Sequence, residues 1–254
     1  MKISVCGKGG SGKSTVVALL ANEAVAQKLR VLVVDSDESN SGLFRMLGFD
    51  QPPVPLMELL GGKKGVKEKM SQPSILTAPQ IFLEDISPQH MVKKGNLTLV
   101  SIGKILQVLE GCACPMGVLS REFLGKLRLK ENEIAFVDME AGIEHFGRGI
   151  DASLDSVLLV VEPSLESISL AEKIRDLAAG IRKSLWAVLN KIPSDSIASR
   201  LKKEMEQRKI EVVGVIPSDP AIFEAGLTGG ALKGGIAARE AGKVLDFLLS
   251  KRSR

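Results

Sequence analysis

The chain has 254 residues, 44% hydrophobic and 25% charged, an ordinary balance for a folded chain long enough to close a full core. Its 34 basic and 30 acidic residues leave a net charge of +4, too small for a protein that coats nucleic acid. No apolar run approaches the roughly 20 residues of a membrane span, the N-terminus carries no leader pattern, and three unevenly spaced cysteines make no disulfide framework. The expectation is a cytoplasmic protein that engages neither nucleic acid nor membrane. The lysine pairs at Lys63-Lys64, Lys93-Lys94 and Lys202-Lys203 read as solvated loops or faces.

In chain order, Ile3–Cys6 is predicted as a strand and Thr15–Gln27 as a helix rich in Ala, Val and Leu. Between them, Gly7-Lys8-Gly9-Gly10-Ser11-Gly12-Lys13-Ser14 fits G-x-x-x-x-G-K-[ST] at every fixed position. Glycines allow backbone N–H groups to turn inward toward phosphate oxygens, and the following helix adds the positive end of its dipole. The phosphate-binding expectation covers Gly9, Gly10, Ser11, Gly12, Lys13, Ser14 and Thr15. Lys13 is expected to reach the β- and γ-phosphates of ATP, and the Ser14 hydroxyl to sit on Mg²⁺.

A second strand, Arg30–Val34, runs into Asp35-Ser36-Asp37, at the edge where open α/β sheets place ligands. The stretch 51–96 is proline-rich and reads as an irregular insertion with short helices within one domain spanning 1–254. Further strands are predicted at Leu97–Ile102, Glu133–Val137, Ser156–Val161, Leu185–Leu189 and Glu211–Ile216, with helices at Leu165–Ala179 and Ser196–Gln207. Near-continuous apolar strands separated by helices give an α/β fold: a P-loop NTPase with a mostly parallel twisted sheet and helices on both faces. Ile236–Leu249 is read as the last helix packed on that sheet.

The strand ending at Val137 is followed by Asp138, a candidate Mg²⁺-organising carboxylate. After another strand, Asn190-Lys191-Ile192-Pro193 lacks the aspartate that reads guanine, so ATP/ADP is favoured over guanine nucleotides, with Asn190 at the adenine edge. Gly111-Cys112-Ala113-Cys114-Pro115 brings two cysteines close together, either as small half-buried turn residues or as thiolate ligands. A closed tetrahedral thiolate site needs four sulfurs, which a symmetric pair of chains supplies. Ni²⁺, Zn²⁺, Cu(I) and an iron–sulfur cluster remain open as occupants. Cys6 reads as a buried small hydrophobe, and His90 and His145 as structural.

Lys8-Gly9-Gly10-Ser11-Gly12-Lys13-Ser14 resembles the deviant Walker A loop of the MinD/ParA class. That resemblance implies a homodimer in which Lys8 reaches the partner's nucleotide as a cation supplied in trans. It also implies that Asp35 helps organise Mg²⁺, that Asp37 orients or activates the attacking water, and that Pro217 and Asp219 lie in the loop closing the adenine pocket. With Cys112-Ala113-Cys114, Asp138 to Gly149 and Val160 to Ser164, the chain is similar to the CooC-type (CooC/AcsF) ATPases of that class. The likeness implies a metallochaperone that hydrolyses ATP and holds Ni²⁺ or Zn²⁺ between Cys112 and Cys114 of two chains. Its client would be a nickel enzyme, carbon monoxide dehydrogenase or acetyl-CoA synthase. A positioning or partition ATPase and an iron–sulfur-carrying ATPase are the alternatives. Departures from the wider class are Met139-Glu140, where a proline commonly stands, and Ser14 in place of threonine.

Overall fold

Apolar β-branched runs at five-to-nine-residue length dictate the frame. The computed structural model describes residues 1–38, 42–104 and 114–252, apart from the Cys114 side chain. In chain order it has β1 (Lys2–Gly7), α1 (Lys13–Ala26), β2 (Arg30–Asp35), α2 (Leu43–Met46), α3 (Gly62–Lys69), β3 (Val92–Lys94), β4 (Leu97–Ser101) and α4 (Cys114–Lys126). There follow β5 (Glu133–Asp138), α5 (Glu144–Gly147), β6 (Ser156–Val161), α6 (Leu165–Gly180), β7 (Ser184–Ile192), α7 (Asp195–Gln207), β8 (Glu211–Pro217), α8 (Pro220–Thr228) and α9 (Gly235–Ser250). One sheet holds the strands in the order β3-β4-β2-β5-β1-β6-β7-β8, parallel throughout except for β3 against β4.

Alternate residues of each strand enter opposite cores, as the two-residue side-chain period requires. Ile3, Val5, Val31, Val33, Ile134 and Phe136 face the layer containing α1 and α9. Cys6, Leu32, Val34, Ala135 and Val137 face the layer containing α4, α6 and α7. Both faces are therefore covered, which is why the strands read as apolar runs rather than alternating ones. The expected α/β P-loop architecture is the one observed.

Several elements went unread in the sequence: the short helices α2 and α5, helix α8, the edge strand β3 and helix α4. The antiparallel edge strand β3 is joined to β4 through Gly95, at φ +57°, and Asn96, and Gly-Asn between extended runs is a hairpin signal. Lys93 and Lys94 are exposed on β3 and keep this edge from pairing further. In α4, Pro115 stands in the first turn, and Met116, Leu119, Phe123 and Leu127 recur at helical spacing and are buried. The rest of the 51–96 stretch folds as expected into short helices, including Leu56–Leu60 and α3. His90 is buried in it, its Nδ1 3.1 Å from the Val54 carbonyl oxygen.

The last helix also matches its expectation. Val244, Leu245 and Leu248 of α9 are fully buried against the sheet, burial worth about 1.5–3 kcal/mol for each side chain. On the neighbouring strand β7, Trp186 meets the Phe247 ring of α9 edge-on at 5.5 Å. Among the described residues no helix is long and apolar enough to cross a membrane.

Glu122 anchors the insertion to α4, and so to the helix that starts at Cys114. It accepts from the Ile75 and Leu76 amides at 2.9 Å each and from the Ser74 hydroxyl, and pairs with Lys126 at 3.0 Å. Burial pushes its carboxyl upward, but these donors together pull it down to about 2. A depressed folded-state value stabilises above the unfolded carboxylate range and loses that contribution as pH falls through about 2. Glu122→Gln is expected to lower Tm at pH 7 by about 2–4 °C. In thermal unfolding followed from pH 7 to 3, the gap between parent and variant narrows below about pH 4.5.

Candidate nucleotide site

The loop between β1 and α1 lies at the carboxyl edge of the sheet, and its shape depends on two glycines. Gly7 has φ +148°, and a Cβ there would stand 2.5 Å from the Val160 carbonyl oxygen of β6. Gly12 has φ +90°, and a Cβ there would run into the Asn190 amide of β7. Any side chain at either position lifts the loop off the strands beneath it. Ser11 N–H closes the turn onto the Lys8 carbonyl at 3.1 Å, and Asn190 Nδ2 donates to the Ser11 carbonyl at 2.8 Å. Gly9 and Gly10 form the crown of the loop, and Lys13, Ser14 and Thr15 open α1, two residues earlier than the sequence pattern suggested. Lys13 is buried in this setting, and the Ser11 hydroxyl is buried with no hydrogen-bond partner among the described residues.

The acidic candidates converge beside the loop. β2 and β5 are neighbours in the sheet, and their register sets Asp35 opposite Asp138. Asp35, Asp37 and Asp138 are all buried. Ser14 Oγ donates to Asp138 Oδ2 at 2.6 Å, while Asp138 Oδ1 is buried without a partner among the described residues. Lys104, which the sequence reading passed over, pairs with Asp35 at 2.7 Å and also donates to the Asp37 carbonyl. Burial raises Asp138 to about 7, with Asp35 adding repulsion against the pull of Ser14 and Lys13. Burial likewise raises Asp35 to about 6 despite Lys104. A hydroxyl beside a carboxylate with an unused oxygen, in a pocket short of positive charge, is a donor set that fits Mg²⁺.

Lys8 lies 35% exposed at the loop's shoulder and pairs with Glu162, just past β6, at 2.9 Å. Glu162 also receives Lys191 at 3.3 Å, and Lys191 in turn donates to the Gly10 carbonyl. No spacing signal marks these partners, because they come from strand ends far apart in the chain. Strand β7 runs on past its predicted end to Ile192, so Asn190 sits inside it, and its side-chain amide supports the loop. Pro217 ends β8 and Asp219 caps α8, accepting from Ala221 N–H at 2.9 Å and Ala237 N–H at 3.3 Å. Asp219 thus ties the starts of α8 and α9 together behind the expected adenine loop.

The segment after β5 is held to the loop by Gly142 N–H on the Gly7 carbonyl at 3.2 Å. His145 is fully buried, its Nδ1 2.6 Å from Asp151, which accepts from Ser4 Oγ of β1 at 2.8 Å. Cys6 is buried next to this network, as expected of a small hydrophobe, and burial pushes its thiol well up. Arg148, Glu38 and Glu140 form a further cluster that the sequence did not single out. Burial and the nearby Glu140 raise the Glu38 carboxyl, with Arg148 opposing them. Cys112 lies outside the described residues, and Cys114 begins α4. Among the described residues, no group of three or more His, Cys, Asp or Glu side chains is placed to hold a metal by itself.

The raised Asp138 value makes a pH prediction. A carboxyl raised on folding contributes stability below its unfolded range and loses it as pH rises through about 7. In calorimetry of nucleotide-free, chelator-treated protein, Asp138→Asn is expected to gain Tm relative to the parent as pH rises from 5 to 8. The asparagine carbonyl still accepts from Ser14, so the difference isolates the charge.

With this geometry in place, comparison with known proteins gives a consistent result. Residues 3–232 match the model of the CobQ/CobB/MinD/ParA nucleotide-binding domain. An uncharacterised ATP-binding protein of Methanocaldococcus jannaschii is 41% identical over 90% of this chain and 92% of its own. The carbon monoxide dehydrogenase accessory protein CooC of Rhodospirillum rubrum is 32% identical over 90% of this chain and 88% of its own. The septum site-determining protein MinD of Pyrococcus horikoshii, solved with Mg-ADP, superposes with a TM-score of 0.70 at 19% identity, covering 98% of this chain and 97% of that one. Fold, phosphate loop and relatives agree: the chain belongs to the CobQ/CobB/MinD/ParA nucleotide-binding family, as an ATPase of its CooC type.

Proposed function

We propose that the protein is a metallochaperone that couples ATP binding and hydrolysis to the capture and release of a metal ion, Ni²⁺ or Zn²⁺, for a carbon monoxide dehydrogenase or acetyl-CoA synthase client. The observation that carries this reading is the hydrogen bond between Ser36 and Ser120, at 2.9 Å. It ties α4, the helix that begins at Cys114, to the segment between Asp35 and Asp37. A change at the nucleotide's γ-phosphate therefore has a short path to the cysteine pair. The resemblance to CooC supplies the client class.

In this reading Gly9, Gly10, Ser11, Gly12 and Thr15 supply backbone donors to the phosphates, and Lys13 neutralises charge at the β- and γ-positions. Ser14 would hold Mg²⁺ directly, with Asp138 and Asp35 behind it. When bound, the ion screens the phosphate charge against these carboxylates. Asp37 orients the attacking water and takes its proton as the water oxygen bonds to the γ-phosphorus and the bond to the β-phosphate oxygen breaks. Asn190, Pro217 and Asp219 border the adenine. Lys8 must exchange Glu162 for the nucleotide of a partner chain when two chains close. Because that ion pair is solvent-accessible on the lysine side, water screens it and the exchange is inexpensive. A nucleotide drives closure only through different affinities for the open and closed dimers.

The membrane-positioning alternative requires a C-terminal amphipathic helix free to reach lipid. Here the apolar face of α9 is spent on the sheet, and undocking it would expose Val244, Leu245 and Leu248.

Metal stoichiometry tests the proposal. Anaerobic Ni²⁺ and Zn²⁺ titrations are run with and without ATP on the parent and on the Cys112→Ser, Cys114→Ser variant. One ion per two chains is expected for the parent with ATP, and at least a tenfold loss of affinity in the variant, with ATP binding retained. Equal metal affinity in parent and variant would defeat the metallochaperone reading. A broad visible absorbance band in protein purified under anaerobic conditions would favour an iron–sulfur cargo instead.

A further inference from the structure

The β2 and β5 ends are registered by backbone pairing only as far as Asp35 and Asp138, with one more bond from Ser36 N–H to the Asp138 carbonyl at 3.0 Å. Beyond that point the two chain segments separate, and a side chain takes over. Arg148 Nη1 meets Glu140 at 2.6 Å on the β5 side and Glu38 at 3.9 Å on the β2 side. Glu38 and Glu140 are only 13% and 15% exposed and face each other, so they repel in a poorly screened setting that the Arg148 charge offsets.

Arg148 is itself held from a third direction. Its side chain lies across α4 at Gly117, where a Cβ would stand 2.5 Å from Arg148 Cδ. Arg121, one turn further along the same helix, donates to the Arg148 carbonyl at 3.3 Å. Three elements thus converge on Arg148, whose Nη1 hydrogen-bonds Glu140 and lies in ion-pair range of Glu38, with a charge that is never lost.

We propose that Arg148 is a positioning residue for ATP hydrolysis. Acting through Glu38 and Glu140, it holds the segment carrying Asp37 and the segment carrying Asp138 at a fixed separation beside the phosphate loop. It touches neither nucleotide nor Mg²⁺. It sets the alignment of groups that do, so its loss lowers turnover and leaves ATP affinity alone.

Steady-state ATPase kinetics on Arg148→Met, Arg148→Lys and Gly117→Ala test this. Arg148→Met is expected to lower kcat at least tenfold with KM for ATP within about twofold of the parent. Arg148→Lys keeps the charge without the guanidinium and is expected to fall between the two. Gly117→Ala removes no polar group and places a better helix former within α4, so its fold is retained, while its methyl displaces the Arg148 side chain; kcat falls with KM for ATP within about twofold of the parent. Adding Glu38→Gln to Arg148→Met relieves the carboxylate repulsion and is expected to recover part of the lost kcat. A kcat within twofold of the parent in Arg148→Met or Gly117→Ala overturns the proposal. So does a loss expressed in KM, or a double variant no faster than Arg148→Met alone.

Discussion

Two carboxylates forced side by side at the end of a parallel sheet are the constraint around which the rest of this molecule is arranged. The register of β2 on β5 sets Asp35 against Asp138, and burial denies both the solvent that would screen them. Everything nearby answers that crowding. Lys104 crosses from beyond β4 to pair with Asp35, Lys13 reaches in from α1, and Ser14 donates to Asp138. Burial is the first cause of the raised proton affinity of both aspartates, with neighbouring carboxylates adding to it: Asp37 for Asp35, and Asp35 and Asp37 for Asp138.

The same two strand ends also lead to helix α4. The segments leaving Asp35 and Asp138 diverge directly above the charge cluster, and both touch α4, one through Ser36 and Ser120, the other through Arg148 and Gly117. A helix contacted by both segments registers any change in their spacing. Interfaces of this kind shift between discrete packings rather than deforming smoothly. Gly117 has a particular part in this, because its missing side chain is what admits the arginine to the helix surface.

Much of this was legible from the amino-acid order, and the reasons for success and failure are physical. Local signals carried the phosphate loop: glycine spacing, a strand before and a helix after. The β-branched runs around Val31–Val34 and Ile134–Val137 carried the sheet, since strands buried on both faces need no alternation. What stayed hidden was pairing between distant strand ends. Glu162 on Lys8, Lys104 on Asp35 and Arg148 on Glu38 are separated by tens of residues or more, and no spacing rule joins them. Helix α4 is hard to read for a different reason: it opens on Cys114-Pro115, and its apolar positions Met116, Leu119 and Phe123 are few and interrupted by Gly117 and Ser120. Asn190 and Asp219 were expected at the adenine pocket from their chemistry; what the structure shows of them is that they hold the loop and the α8–α9 corner.

The chain contains a single tryptophan and no tyrosine. Trp186 sits near the start of β7, four residues before Asn190, or about 13 Å back from the ligand edge at strand rise. Its ring rests on Phe247 of α9. Intrinsic emission from this molecule is accordingly a signal from one place, the seam between sheet and C-terminal helix. Ligand titrations read by fluorescence would stay nearly flat even when the site fills, whereas chemical denaturation would give one clean transition reporting when α9 lets go.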